Sequence, residues 1–233
     1  SSLNPLSVLI STVKASIPTQ DVERIEGSLL SWSKKPHFDS VEPSRIWGAH
    51  DLDYLQKWFD EAAISDLARL RAAIEEAAAG FEQSFLRVCL SNIVRSVSWQ
   101  KETDLRVRKE IRPYKAGAAI ERFTENLQDQ LERIHAYLSV LPKRPEAPEL
   151  VIREGNSVNV DSLFEEFRCR VDVVITSPPY ATALPYLDTD RLSLVVLGLL
   201  SRKGHREREA DMIGTREVTE RERLLQWQRF EAR

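Results

Sequence analysis

Residues 171–180, VDVVITSPPY, place a hydroxyl, two consecutive prolines and an aromatic ring directly after a run of β-branched side chains. Ser177 offers an oxygen, Pro178 and Pro179 hold their carbonyls in a stiff backbone, and Tyr180 offers a flat face. Groups of that kind orient a ligand only if something rigid carries them. Val171, Val173, Val174 and Ile175 are the residue types of a strand buried on both faces of a parallel sheet. The prolines cannot donate ladder hydrogen bonds, so that strand must stop before them. The expectation is a polar corner at the carboxyl end of a central strand, where open α/β sheets hold their ligands.

Around this corner the periodicities divide the chain. Residues 3–14, LNPLSVLISTVK, predict a turn and then a short helix, with Pro5 suited to the first helical position. Residues 15–50 carry scattered Pro, Ser and Trp and read as mostly loop. From Asp51 onward Leu52, Leu55, Trp58 and Phe59 recur at helical steps. Ser65 is the expected cap of a second helix that ends at Gly80. A third covers residues 81–97, with Phe85, Val88, Cys89, Ile93 and Val94 inward. The longest, residues 116–141, sets Ile120, Phe123, Leu127, Leu131, Ile134 and Leu138 on one face. Beyond Pro148 the texture changes. Short strands are expected at 150–152 and 158–160, then a short helix begun by Asp161, the strand at 171–176 and an apolar helix over 187–200. The run 201–208 reads as a solvated charged loop, and 217–230 as an exposed helix.

Composition bounds the function classes. The 233 residues are 42% hydrophobic and 30% charged, which suits a chain with a sizeable core. A net charge of −3 excludes a uniformly basic nucleic-acid binder, so any polyanion contact needs a local patch. Arg106, Arg108, Lys109, Arg112 and Lys115, with Trp99 and Tyr114 nearby, supply residue types that suit phosphate contacts, although Glu102, Asp104, Glu110 and Glu121 dilute them. Cys89 and Cys169 form no Cys-x-x-Cys pair, and His37, His50, His135 and His205 are scattered. Neither a disulfide framework nor a metal site is expected, and a reducing cytoplasm is the default. The apolar run at 192–200 is too short to span a bilayer, and the first residues do not have the pattern of a signal peptide.

The residues Ile175-Thr176-Ser177-Pro178-Pro179-Tyr180 resemble the catalytic motif of the amino-group DNA methyltransferases, in the form found in enzymes that methylate N4 of cytosine. Asn4-Pro5-Leu6 resembles the family's Asp-x-Asn-Pro-Leu stretch, with Ser2 at the acidic position. Asn159-Val160-Asp161 resembles the strand end whose Asp binds the adenine of S-adenosylmethionine. Leu184-Pro185-Tyr186 and Ile213-Gly214-Thr215 resemble elements downstream of the catalytic loop. The resemblance implies an α/β fold: a partial Rossmann-like methyltransferase sheet with a large α-helical insertion, mostly helical by residue count. Residues 1–50 are then the cofactor-side segment, 51–145 the insertion, 146–215 the catalytic side and 216–233 a charged helical tail. It also implies roles. Ser177 and Pro178 accept hydrogen bonds from the base amine, Pro179 stiffens the loop and Tyr180 stacks on a flipped base. Asn4, Pro5 and Asp161 touch the cofactor, and the basic residues touch the DNA backbone beside that base.

One family feature is missing. The eight glycines, among them Gly27, Gly48, Gly80 and Gly117, are too dispersed to form the Gly-rich loop that admits S-adenosylmethionine. The expectation is an internal or split piece of a longer methyltransferase, with the cofactor site completed by a preceding segment or another subunit. Two other classes stay open: a split or decayed paralogue that binds DNA or a partner protein, and an enzyme acting on RNA or a protein amide.

Overall fold

The computed structural model describes residues 2–34, 40–76, 80–101, 108–141, 150–176 and 186–212, with Leu224, Leu225, Trp227, Gln228 and Glu231 of the tail. Ser177, Pro178, Pro179, Tyr180 and Arg106 lie outside these residues, as do 213–215.

Among the described residues the elements are helices. Helix α1 (Pro5–Ser16) starts as expected, with Pro5 at its first position and the Asn4 side chain accepting from Leu6 N–H at 3.0 Å. Helix α2 (Val22–Lys34) lies within the stretch expected to be loop. Val22, Ile25, Leu29 and Trp32 recur at steps of three and four, and Ile25 and Leu29 are buried. That stripe is narrow and interrupted by Gly27, which hid it. After α3 (Pro43–Ile46) and α4 (Ala49–Gln56) comes α5 (Glu61–Glu75). Its cap is Asp60, which accepts from Ala62 N–H at 3.0 Å, and Ser65 lies inside the helix. Gly80 precedes α6 (Phe81–Val94), and α7 (Ala118–Val140) carries the expected long apolar face. Short α8 (Val160–Leu163) is followed by α9 (Tyr186–Val196) and α10 (Arg202–Ala210). The charged run read as a loop is thus a helix, capped by Ser201 and burying His205.

Helix α6 packs against α7, α5 and α1, while α9 leans on α6, α1 and α4, and α10 covers α4 and α9. One apolar core runs from Leu6 to Leu197 and includes Phe59, Phe123, Leu90 and Leu194. Helix α9 ends at Gly198, whose φ of +64° is a left-handed turn that favours glycine. The indole of Trp47 donates to the Val195 and Val196 carbonyls, both at 3.2 Å, and Arg71 Nη1 donates to Val196 at 3.1 Å. These donors satisfy carbonyls that the helix end leaves open.

The expected α/β fold is overturned. Among the described residues there is no β-strand and no sheet; two isolated bridges, Ser2 with Glu154 and Gln100 with Lys109, are the extent of β pairing. Residues 150–152 form no strand, and 158–160 run through a 3₁₀ turn into α8. Residues 171–176 are not helical, but they are not a buried strand either. Val171, Val173, Val174 and Ile175 are 58%, 71%, 81% and 93% exposed. The physical reason is that a strand is a pairing state. Local β preference sets the backbone, but a central strand needs neighbours on both edges and both faces. No described segment supplies them.

Candidate nucleic-acid interface

The Asn4 side chain is committed at both ends. Its oxygen caps α1, and its Nδ2 donates to Asp190 Oδ2 on α9 at 2.7 Å. The residue is buried, and its own backbone N–H donates to Ser2 Oγ at 3.1 Å. Pro5 is buried beside it. The Asn-Pro segment is therefore locked to the helix that follows the Ser-Pro-Pro-Tyr residues in the chain. Sequence reading missed Asp190. The signal available was the run Asp188-Thr189-Asp190-Arg191 at the start of an otherwise apolar helix. Burial raises the Asp190 carboxyl above its ordinary range, and hydrogen bonds from Asn4 and Thr189 oppose that rise.

Asp161 stands apart. It lies in the first turn of α8, exposed, two positions beyond the cap residue Asn159. The segment that carries it is tied to the N-terminus through the main chain: Ser2 N–H donates to the Arg153 carbonyl at 3.3 Å, and Gly155 N–H donates to Ser2 at 3.0 Å. Arg208 on α10 pairs with Glu154, and Asn156 Nδ2 donates to the Asp211 carbonyl at 3.0 Å. No hydrogen bond joins Asp161 to Asn4 or Pro5.

The basic residues divide into two roles. The flanks of 102–107 pair with each other as the two arms of a hairpin: Lys101 N–H donates to the Arg108 carbonyl at 2.9 Å, and Glu110 N–H donates to the Trp99 carbonyl at 2.7 Å. Arg112 is half-buried and holds this hairpin from beneath, donating to the Ser98 and Gln100 carbonyls at 3.0 and 3.4 Å. The Trp99 indole donates to the Arg112 carbonyl at 3.1 Å. Arg108 and Lys109 face solvent, with Lys109 Nζ 4.7 Å from the centre of the Trp99 ring. Lys115 is exposed and pairs with Glu121 at 3.5 Å, an exposed pair of little energetic weight. Beside them Arg122 donates to the Ser96 carbonyl at 3.1 Å and borders a cavity of about 240 Å³ lined by Ser98, Trp99, Arg112 and Lys115.

A buried carboxylate anchors the hairpin to the core. Asp66 accepts from the Tyr114 hydroxyl and from Gly117 N–H, each at 2.7 Å, and the Tyr114 oxygen accepts from Ala119 N–H at 2.7 Å. Burial and the hydrogen bond to Asp66 push the Tyr114 hydroxyl well above its ordinary pKa, so it stays a donor. The site can thus present two exposed cations and an indole on a braced hairpin. Of the other reactive groups, Cys89 is a buried thiol pushed up to about 12, and Cys169 is exposed. Among the described residues no helix is long and apolar enough to cross a membrane, and no three His, Cys, Asp or Glu side chains group as metal ligands. No family model, curated protein or solved structure matches the chain.

Proposed function

We propose that this chain is part of an S-adenosylmethionine-dependent DNA methyltransferase acting on an exocyclic base amine, cytosine N4 before adenine N6. The observation that carries the reading is the sequence Thr176-Ser177-Pro178-Pro179-Tyr180. An exocyclic amine is a poor nucleophile because its lone pair is delocalised into the ring. Acceptors at its two hydrogens favour a pyramidal nitrogen with a localised pair. The Ser177 hydroxyl and the Pro178 carbonyl fill those roles, and a proline-stiffened carbonyl needs little reorganisation. Tyr180 stacks on the base once it has left the duplex, which contributes roughly 1–3 kcal/mol. Arg108 and Lys109 hold strand phosphates nearby. The Asn4–Asp190 hydrogen bond supports the reading, because it joins two segments that the resemblance pairs with cofactor and catalytic loop.

S-adenosylmethionine supplies the electrophilic methyl group, but the described residues do not make a site for it. Asn4 is already used by Leu6 and Asp190, Pro5 is buried and Asp161 stands exposed on its own helix. The dispersed glycines add no Gly-rich loop. In this reading the cofactor loop belongs to a preceding segment or a second subunit, in a reducing cytoplasm. The same gap favours a second reading, a non-catalytic split or decayed paralogue whose hairpin binds DNA or a partner protein. Mass spectrometry of nucleosides from a host expressing the complete gene separates them. N4-methylcytosine is expected in the genomic DNA and lost with Ser177→Ala. Unmodified DNA, with no calorimetric binding of S-adenosylmethionine to the complete protein, establishes the second reading instead.

A further inference from the structure

Between α4, α9 and α10 lie two arginines whose guanidinium groups form no ion pair among the described residues. The Arg191 guanidinium rests over the Trp58 ring at 4.3 Å. Its Nε and Nη2 are buried and meet no hydrogen-bond partner, and the side chain makes no ion pair among the described residues. Arg202, at the start of α10, lies over the Tyr54 ring at 5.0 Å, with its backbone N–H held by Asp51 at 2.7 Å. Tyr54 is buried, and its hydroxyl also lacks a partner. Both guanidinium groups act electrostatically on that hydroxyl and on each other. Asp188 adds negative charge at Tyr54 and Arg191 but pairs with neither. His205 packs behind, buried, with Nε2 3.3 Å from the Leu187 carbonyl. Burial, helped by the two arginines, holds its pKa below the ordinary value. Around the two cations stand the carboxylates of Asp188, which pairs with neither, and of Asp51, which is held by the Arg202 main chain.

Buried donors without acceptors are exceptions in folded proteins, and crowded like charges repel. A single anion relieves both. A guanidinium held by its face on an aromatic ring keeps its N–H edge for an acceptor. Here that edge is Nε and Nη2 of Arg191, with a second guanidinium and a phenol hydroxyl nearby. A tetrahedral oxyanion has enough oxygens for all three; a planar carboxylate has two. We infer that Tyr54, Arg191 and Arg202 form a phosphate-binding site, taken in the working molecule by a backbone phosphate of a nucleic-acid strand. The choice of a strand phosphate over free phosphate rests on the methyltransferase reading; the anion site itself does not.

Proton–nitrogen correlation spectra of the full chain resolve arginine Nε–H groups, and the resonance lost in Arg191→Lys identifies the one concerned. Inorganic phosphate is expected to move it saturably. Arg202→Met should abolish the response, and Tyr54→Phe, which keeps the ring under Arg202, should weaken it several-fold. A short single-stranded oligonucleotide should move the same resonance at about tenfold lower concentration, because neighbouring phosphates add contacts. A resonance that neither ligand moves overturns the site. Movement with phosphate but not with the oligonucleotide overturns the nucleic-acid source. A normal response in a protein whose complete gene leaves DNA unmodified keeps the site and removes the methyltransferase reading.

Discussion

Asn4 does two jobs with one amide, and each can be taken away. Asn4→Ala removes a helix cap, worth about 1 kcal/mol, and takes from the half-buried Asp190 carboxylate its Asn4 donor, leaving that of Thr189, worth about 1–3 kcal/mol. Urea denaturation should show a loss of about 2 kcal/mol or more. Asn4→Asp keeps the cap but sets a second carboxylate against Asp190. Its loss should be larger near pH 8 than near pH 5, and a pH-independent loss would remove Asp190 from the account. His205 gives the opposite dependence. Its folded pKa lies below the ordinary 6.5, so the unfolded chain binds the extra proton as the pH falls. Its stabilising contribution is complete above 6.5 and declines toward the lowered folded value. Melting temperatures should therefore fall between about pH 7.5 and 5.5 in the parent and change less in His205→Gln. Neither role was readable from residue type. Asn4-Pro5 announced a cap, but the carboxylate that answers its amide arrives from the far end of the chain.

Helices with long apolar faces were legible because their pattern is local. The long face of α7 and the inward set of α6 come directly from spacing, whereas α2 and α10 were lost to a narrow stripe and to charge. Element ends depend on finer chemistry. At Gly198 a Cβ would sit 2.2 Å from Arg71 Nη2 on a left-handed backbone. Gly198→Ala should cost roughly 1–2 kcal/mol and free Arg71 from the Val196 carbonyl. The hairpin separates support from contact. Replacing Arg108 and Lys109 by Ala should reduce the slope of log affinity for DNA against log salt by about 2, with the fold intact. Arg112→Ala should instead loosen the 98–112 hairpin and lower the melting temperature, because its donors reach Ser98 and Gln100 rather than solvent. An unchanged salt slope in the double variant would rule this hairpin out as the DNA contact.

At the scale of the whole molecule, residues 171–176 are exposed and lie outside the helical core of the described residues. Four β-branched apolar side chains on an exposed segment, with no strand beside it among the described residues, make a surface prone to pairing with other chains. Light scattering of the isolated chain should show concentration-dependent association, reduced by Ile175→Lys; equal association in that variant would place the sticky surface elsewhere. The residues around Ser177 show how far sequence reaches. The types, order and spacing of Ser, Pro, Pro and Tyr are enough to propose a chemistry, because orienting an amine needs only a few groups close in the chain. The helix-forming segments were likewise set by local periodicity. A sheet was not, because strands exist through partners distant in sequence, and β-branched residues advertise a strand whether or not partners come. What only the tertiary structure decided was the company each residue keeps: Asn4 with Asp190, Asp66 with Tyr114, Arg112 under its hairpin, Arg191 over Trp58. Those pairings depend on how helices pack, and helix packing is set by the shape of the whole core rather than by any window of sequence.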